Sequence, residues 1–154
     1  MKKRVYLVGL IGSNPQTYQW RRTVTKLLED KFEVDDPTLS LFDKELMKKA
    51  EGDTDKMHKL VEAHQAEILL PKSFLSVQKA DILLVNFQIY SDSRPIIGSI
   101  MELAWAYNQH KTVIGVRGTS YYSKHPMIRG IVHAWANTLD EAVEIINEFF
   151  TSKR

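Results

Sequence analysis

Cysteine is absent from the 154 residues, so no disulfide framework holds this chain together, and a cysteine-free, lysine-rich composition fits a reducing cytoplasm. An excess of either charge is also missing. Twenty-one Lys+Arg stand against 19 Asp+Glu, a formal net charge of +2, which excludes the broad basic footprint of a nucleic-acid binder; the short basic ends, Lys2-Lys3-Arg4 and Lys153-Arg154, read as solvated. No apolar run approaches the roughly 20 residues that span a bilayer. Residues 5–8 are cut short by Gly9 with no cleavage site following, so no secretory signal is expected. Linkers, repeats and low-complexity tracts are absent too. What is present, 44% hydrophobic residues in a chain of this length, suits one domain over residues 1–154, able to bury about 68–70% of its unfolded surface.

Four short apolar runs read as buried strands, at residues 5–10, 82–85, 113–116 and 131–135, with a weaker fifth at 32–34. Helical patterns lie between them. Asn14-Pro15 reads as a helix start, followed by Trp20, Val24, Leu27 and Leu28 at helical spacing. A Lys- and Glu-rich stretch over 43–67 predicts one or two surface helices, interrupted near Gly52-Asp53. Pro71 is expected to break that pattern, with a short helix at 73–79. A further helix starts near Gly98, and the last opens with a capping box, Thr138 with Glu141. Strands alternating with helices predict an α/β fold: a doubly wound, mostly parallel five-stranded sheet with helices on both faces, flavodoxin- or Rossmann-like. The strands lack polar alternation, as a sheet covered on both faces requires. Ligands of such sheets bind at the carboxyl ends of the strands near the switch point, where the loops after Leu10, Val85 and Val116 converge.

The first of these loops, Gly9-Leu10-Ile11-Gly12-Ser13-Asn14-Pro15, offers backbone amides and a helix N-terminus to an anion. It is neither a P-loop nor GxGxxG, and tight-turn glycines account for it equally well. The segment Gly98-Ser99-Ile100-Met101-Glu102-Leu103-Ala104-Trp105-Ala106-Tyr107 is more informative. At 100° per residue, Ile100, Leu103, Ala104 and Tyr107 form the stripe expected to pack on the sheet, with Glu102 pointing almost directly away from it. Glu102 is expected in the first turn, where the macrodipole favours a carboxylate, poised to face a ligand or standing there as an ordinary acidic residue. Met101 and Trp105 are apolar and off the stripe, which suggests that this helix meets another subunit or roofs a pocket. The five histidines, His58, His64, His110, His125 and His133, show no metal-ligand spacing, so neither a metal nor a cofactor is expected. No Gly-x-Ser-x-Gly elbow exists, which argues against a serine hydrolase. Trp20, Phe42, Phe74 and Phe87 are expected in the core rather than stacked on a base.

Four segments together resemble the nucleoside 2-deoxyribosyltransferases and the related 2′-deoxynucleoside 5′-phosphate N-hydrolases. Val5-Tyr6-Leu7-Val8-Gly9 resembles their opening strand, and Lys79-Ala80-Asp81-Ile82-Leu83-Leu84-Val85-Asn86 their central one. Gly98-Ser99-x-x-Glu102-Leu103-Ala104-x-Ala106 is similar to their Gly-Thr-x-x-Glu signature, and His125-Pro126-Met127-Ile128 to their Asn-x-Met segment. The resemblance implies that Glu102 is a nucleophile at the anomeric carbon, that Tyr6 holds it, and that Gly9, Ser73, Asn86, Asp92, Gly98, Ser99, His125 and Met127 bind substrate. It further implies a homo-oligomer in which the segment at 125–127 reaches a neighbour's active site. Two positions depart from the family pattern. Ser73 stands eight residues before Asp81, where family members carry an aspartate that assists the departing base; serine is no carboxylic acid. His125 replaces the asparagine that binds the sugar 5′-hydroxyl, and with Lys124 and Arg129 it could instead meet a 5′-phosphate, whereas Leu10 replaces a serine usual in the phosphate branch.

The expected activity is therefore transfer of a 2-deoxyribosyl group between nucleobases through a covalent glycosyl-Glu102 intermediate, in nucleoside salvage in the cytoplasm. The expected partners are a nucleoside or nucleotide, a free nucleobase and further copies of this chain, with no nucleic-acid polymer and no membrane. Two alternatives stay open: an N-glycosidic hydrolase of (deoxy)nucleoside 5′-monophosphates, and a non-catalytic nucleotide-binding module.

Overall fold

The computed structural model describes residues 1–11, 14–39, 53, 56, 59, 66–90 and 95–151. Within these, the chain runs β1 (Lys3–Gly9), α1 (Gln16–Leu28), β2 (Phe32–Asp35), a 3₁₀ turn (Pro37–Leu39), α2 (Ala66–Lys79), β3 (Ile82–Asn86) and α3 (Ile97–Asn108). It continues through β4 (Thr112–Val116), a 3₁₀ turn (Tyr121–Lys124), α4 (Pro126–Ile131), β5 (Ala134–Ala136) and α5 (Leu139–Thr151). All five strands are parallel, in the order β2-β1-β3-β4-β5. The expected doubly wound α/β sheet is thus the observed fold, with its order reversing beside β1 and β3. Among the described residues no helix is long and apolar enough to cross a membrane.

Alternate residues of each strand enter two separate cores. Val5 and Leu7 of β1 join Ile82 and Leu84 of β3 and Ile114 of β4 beneath Trp20, Val24 and Leu28 of α1 and Ala142 and Ile146 of α5. Tyr6, Val8, Leu83, Val85 and Val113 face the other way, against Val77 of α2, Leu103 and Ala106 of α3 and Ile128 of α4. Each fully buried branched side chain contributes about 1.5–3 kcal/mol, so both faces of every central strand must be apolar. Where that rule fails, at Tyr6, a function is to be sought.

Several local expectations need correction. The fifth strand is only Ala134–Ala136, because Pro126 at the first helical positions and the His125 cap continue α4 through Ile131. Pro71 lies inside α2 rather than ending a helix before it. The stretch at 43–67 lies almost wholly outside the described residues, as do Phe42, His58, His64 and Asp92. Trp20 and Phe87 are buried as expected, but Phe74 is exposed and meets Trp105 edge-on at 5.3 Å. The capping box of α5 forms with a shift of one residue: the Glu141 N–H donates to Thr138 Oγ1 at 3.1 Å, while Glu141 Oε2 accepts from the Asn137 N–H at 3.0 Å.

Candidate functional site

The carboxyl ends of β1 and β3 lie side by side, with Gly9 paired to Asn86. Gly9 has to be small: a Cβ there would sit 3.1 Å from both the Asn86 carbonyl oxygen and the Trp20 ring. The chain then leaves β1 under a buried cation. Arg21 of α1 is fully buried, and its guanidinium donates to the Gly9 carbonyl at 2.9 Å, the Leu10 carbonyl at 3.3 Å and the Thr17 carbonyl. Its Nε lies 4.0 Å from Asp36 Oδ1. Asp36 is itself buried and bonded to Arg22 and to the Thr38 hydroxyl at 2.6 Å. Burial lowers the Arg21 pKa to about 10, Asp36 opposing the shift, so the guanidinium stays charged at neutral pH. Nothing in the sequence pattern singles Arg21 out; its only trace was a basic residue next to Trp20 on the face of α1 that the core demands.

On the opposite face of β1, Tyr6 is 3% exposed and its hydroxyl is hydrogen-bonded to the Glu102 carboxylate. Glu102 as a residue is half-buried, but its Oε2 is wholly enclosed and has no hydrogen-bond partner. The side of α3 against the sheet carries Ser99, Leu103 and Ala106, one residue out of phase with the expected stripe; Ala104 and Tyr107 are exposed. Glu102, three residues after Ser99, therefore borders the packed face instead of pointing away from it. Nor is it in the first turn, which spans Ile97 to Ile100 and holds no acidic residue. The helix macrodipole is consequently not what governs its charge.

Glu102 is instead tuned by its neighbours. Burial raises its pKa to about 7, against the Tyr6 hydrogen bond and the Arg21 charge, which hold it down; Asp35 adds to the rise and Lys72 opposes it. Burial and the nearby Glu102 push the Tyr6 hydroxyl well above the usual phenol range, so Tyr6 is a fixed donor. Asp35, paired with Tyr6 across β1 and β2, is raised by burial as well, against Arg4, a hydrogen bond from Ser76, and Lys72. The outcome is a carboxylate that is half-ionised near neutrality, has one oxygen restrained and the other unengaged, and sits at the switch point of the sheet. Such a group can act as a nucleophile or exchange a proton.

The structure brings Tyr6, Gly9, Asn86, Ser99 and Glu102 to this end of β1, β3 and α3. Asn86 is buried, and both ends of its amide are engaged: Nδ2 donates to the Tyr90 hydroxyl at 2.8 Å and Oδ1 accepts from the Gln88 N–H at 3.1 Å. Asn86 thereby shapes the loop after β3. Tyr90 adopts a positive φ of 47°, and its carbonyl accepts from Asn14 at 3.3 Å, tying the loops after β1 and β3 together. Gly98 opens onto free space, where an added Cβ would meet no atom within 4 Å. Ser73 is half-buried on α2. His125 and Met127 lie elsewhere, at the β4–β5 end: the His125 Nδ1 accepts from the Met127 N–H at 3.2 Å, its ring meets Tyr121 edge-on, and Met127 is 73% exposed. Trp105 packs on the second core while Met101 stays exposed. Among the described residues no group of three His, Asp or Glu side chains is placed to hold a metal.

No model of a known protein family matches the sequence, and no curated protein matches it. Among solved structures, the chain is similar to the Clostridium botulinum CMP N-glycosidase BcmB, with a TM-score of 0.54 and 19% sequence identity over 96% of this chain and 100% of that one. Likeness at that identity establishes the fold: an α/β, doubly wound parallel sheet of five strands.

Proposed function

We propose that this protein is an N-glycosidase that cleaves a nucleoside 5′-monophosphate through a covalent glycosyl-Glu102 intermediate. The observation that carries the reading is the enclosed Glu102 carboxylate, held by Tyr6 and leaving Oε2 unengaged. The fold shared with a CMP N-glycosidase and the sequence resemblance to deoxyribosyltransferases and phosphate N-hydrolases support the same chemistry, and the former favours hydrolysis of a nucleotide over base exchange.

In this mechanism the Glu102 carboxylate attacks C1′ as the C1′–N bond breaks, and the bonding electrons leave with the base, which takes a proton from solvent. Charge at C1′ resembles an oxocarbenium ion in both displacements. Water then attacks C1′ from the vacated face, loses a proton to solvent, and the bond from C1′ to the Glu102 carboxylate breaks, restoring the carboxylate and giving the sugar 5-phosphate with retained configuration. Tyr6 restrains the carboxylate by its hydrogen bond, and Arg21 supplies a fixed positive potential that favours the ionised nucleophile. Ser73 offers no acid to the leaving group.

Incubation with CMP and dCMP, with thymidine as the unphosphorylated control and free adenine as an acceptor, tests the reading. Release of free cytosine with a sugar 5-phosphate is the expected result. Formation of deoxyadenosine would establish deoxyribosyl transfer instead, and no reaction with any of these compounds would refute the N-glycosidase reading for them.

A further inference from the structure

At the far edge of the sheet, a cavity of about 530 Å³ opens between the end of β4 and α4, lined by Arg117, Arg129, Ser123, Val132 and Trp135 among others. No carboxylate lines it, and among the described residues neither arginine has an ion-pair partner. Arg117 is held ready. Its Nη1 donates to Asn137 Oδ1 at 2.9 Å, its guanidinium lies 5.5 Å from the centroid of the Trp135 ring, and its carbonyl accepts from Gln88 at 2.9 Å. Trp135 is wedged in turn: a Cβ at Gly115 would lie 2.9 Å from its ring. Gly118, next to Arg117, admits no side chain, since its Cβ would stand 2.1 Å from the Phe87 carbonyl oxygen. The backbone carrying Arg117 is therefore fixed on both sides. Arg129 reaches the same cavity from α4, with Gly130 beside it leaving the mouth open.

We propose that this cavity is a site for a phosphoryl group, gripped by Arg117 and Arg129. Two arginines and no carboxylate line one cavity, an arrangement that attracts an anion, and the guanidinium fork matches the geometry of phosphate oxygens. The apolar floor of Val132 and Trp135 strengthens the attraction by excluding water on one side. The volume suits a ligand of nucleotide size. Trp135 belongs to β5 and Tyr6 to β1, three inter-strand spacings or roughly 14 Å apart across the sheet. The phosphoryl group has two sources, a free phosphorylated molecule or the 5′-phosphate of a substrate held by a second copy of this chain.

Calorimetric titration of the full chain with inorganic pyrophosphate tests the site independently of any activity. Saturable binding is expected, weakened about tenfold or more by Arg129→Gln and by Arg117→Gln, as loss of a charge-assisted contact implies, and unchanged by Lys26→Gln, an exposed residue of α1 outside the cavity. Arg129 is exposed, so its variant retains the fold even if the Arg117 variant does not. Absence of binding below about 1 mM, or equal weakening by Lys26→Gln, would overturn the proposal. Both sources are separated by CMP turnover: competitive inhibition by pyrophosphate with a raised KM in Arg129→Gln identifies the substrate's own phosphate, and turnover indifferent to both identifies a free phosphorylated ligand. Either result upholds the site, and failure of CMP turnover altogether bears only on the proposed activity.

Discussion

The two ends of this sheet treat charge in opposite ways. Around β1, Glu102, Tyr6, Arg21 and Asp36 have been withdrawn from water and left to adjust one another: a carboxylate driven up to about 7 by burial, a phenol raised beyond its range, a guanidinium lowered to about 10. Around β4 and β5, Arg117 and Arg129 stay at the surface, where only their arrangement is specific. Burial changes what a group is chemically, whereas exposed placement changes only what it meets. The first suits bond-breaking and the second suits holding an anion.

The largest effect that would sharpen this contrast is at the buried end. Glu102→Gln should reduce base release from CMP by at least about three orders of magnitude, as loss of a nucleophile does; a variant with more than a tenth of wild-type kcat/KM would remove Glu102 from the mechanism. Arg21→Met should cost about 3–5 kcal/mol of stability, because it leaves three backbone carbonyls without their charged donor and removes one of the two cations beside the buried Asp36. Urea unfolding reads that loss, and a change under about 1 kcal/mol would mean that the Arg21 charge is not needed to hold the loop after β1.

The same Glu102→Gln protein yields a third result, in stability. The folded carboxyl has a pKa of about 7 and an ordinary value of 4.5, so below pH 4.5 both folded and unfolded forms are protonated and burial carries no charge penalty. Between pH 4.5 and 7 the unfolded chain releases its proton first, and wild-type stability declines by about 3 kcal/mol on the scale of 1.36 kcal/mol per pH unit. The glutamine variant lacks that decline, so its advantage over wild type should grow from pH 5 to pH 8; parallel pH profiles would contradict the burial of the charge. Activity follows the opposite slope, because the ionised form is the nucleophile: kcat/KM for CMP should rise with pH through about 7.

Smallest of these effects is that of Tyr6→Phe. Removing a hydrogen bond to a charged group costs about 1.5–3 kcal/mol, which corresponds to a rate loss of roughly 10- to 150-fold. It should also move the kinetic limb of Glu102 to higher pH, since the bond that favoured the ionised form is gone. A rate loss without that displacement would assign Tyr6 to packing.

Much of the fold was legible because it depends on local runs of apolar residues. The strands at 82–86 and 112–116 are apolar on both faces, which only a covered parallel sheet requires. The helix at 97–108 resisted the same treatment. It is apolar nearly all round, Ile97, Ile100, Met101, Leu103, Ala104, Trp105 and Ala106 included, so periodicity could not distinguish the face toward the sheet and misplaced it by one residue. Strand 131–135 was misjudged for a different reason: its apolar run begins on the last residue of α4, a helix whose start at Pro126 and whose His125 cap periodicity does not announce.

By itself, then, the sequence determined the class of sheet and the apolar character of both its faces, because these follow from which residues avoid water. Only the tertiary structure decided how Glu102 is charged and what stands by it. Tyr6, Arg21 and Glu102 lie on three elements separated by up to 96 positions along the chain, and their coupling arises from burial in a shared interior, a property of packing that no local pattern contains.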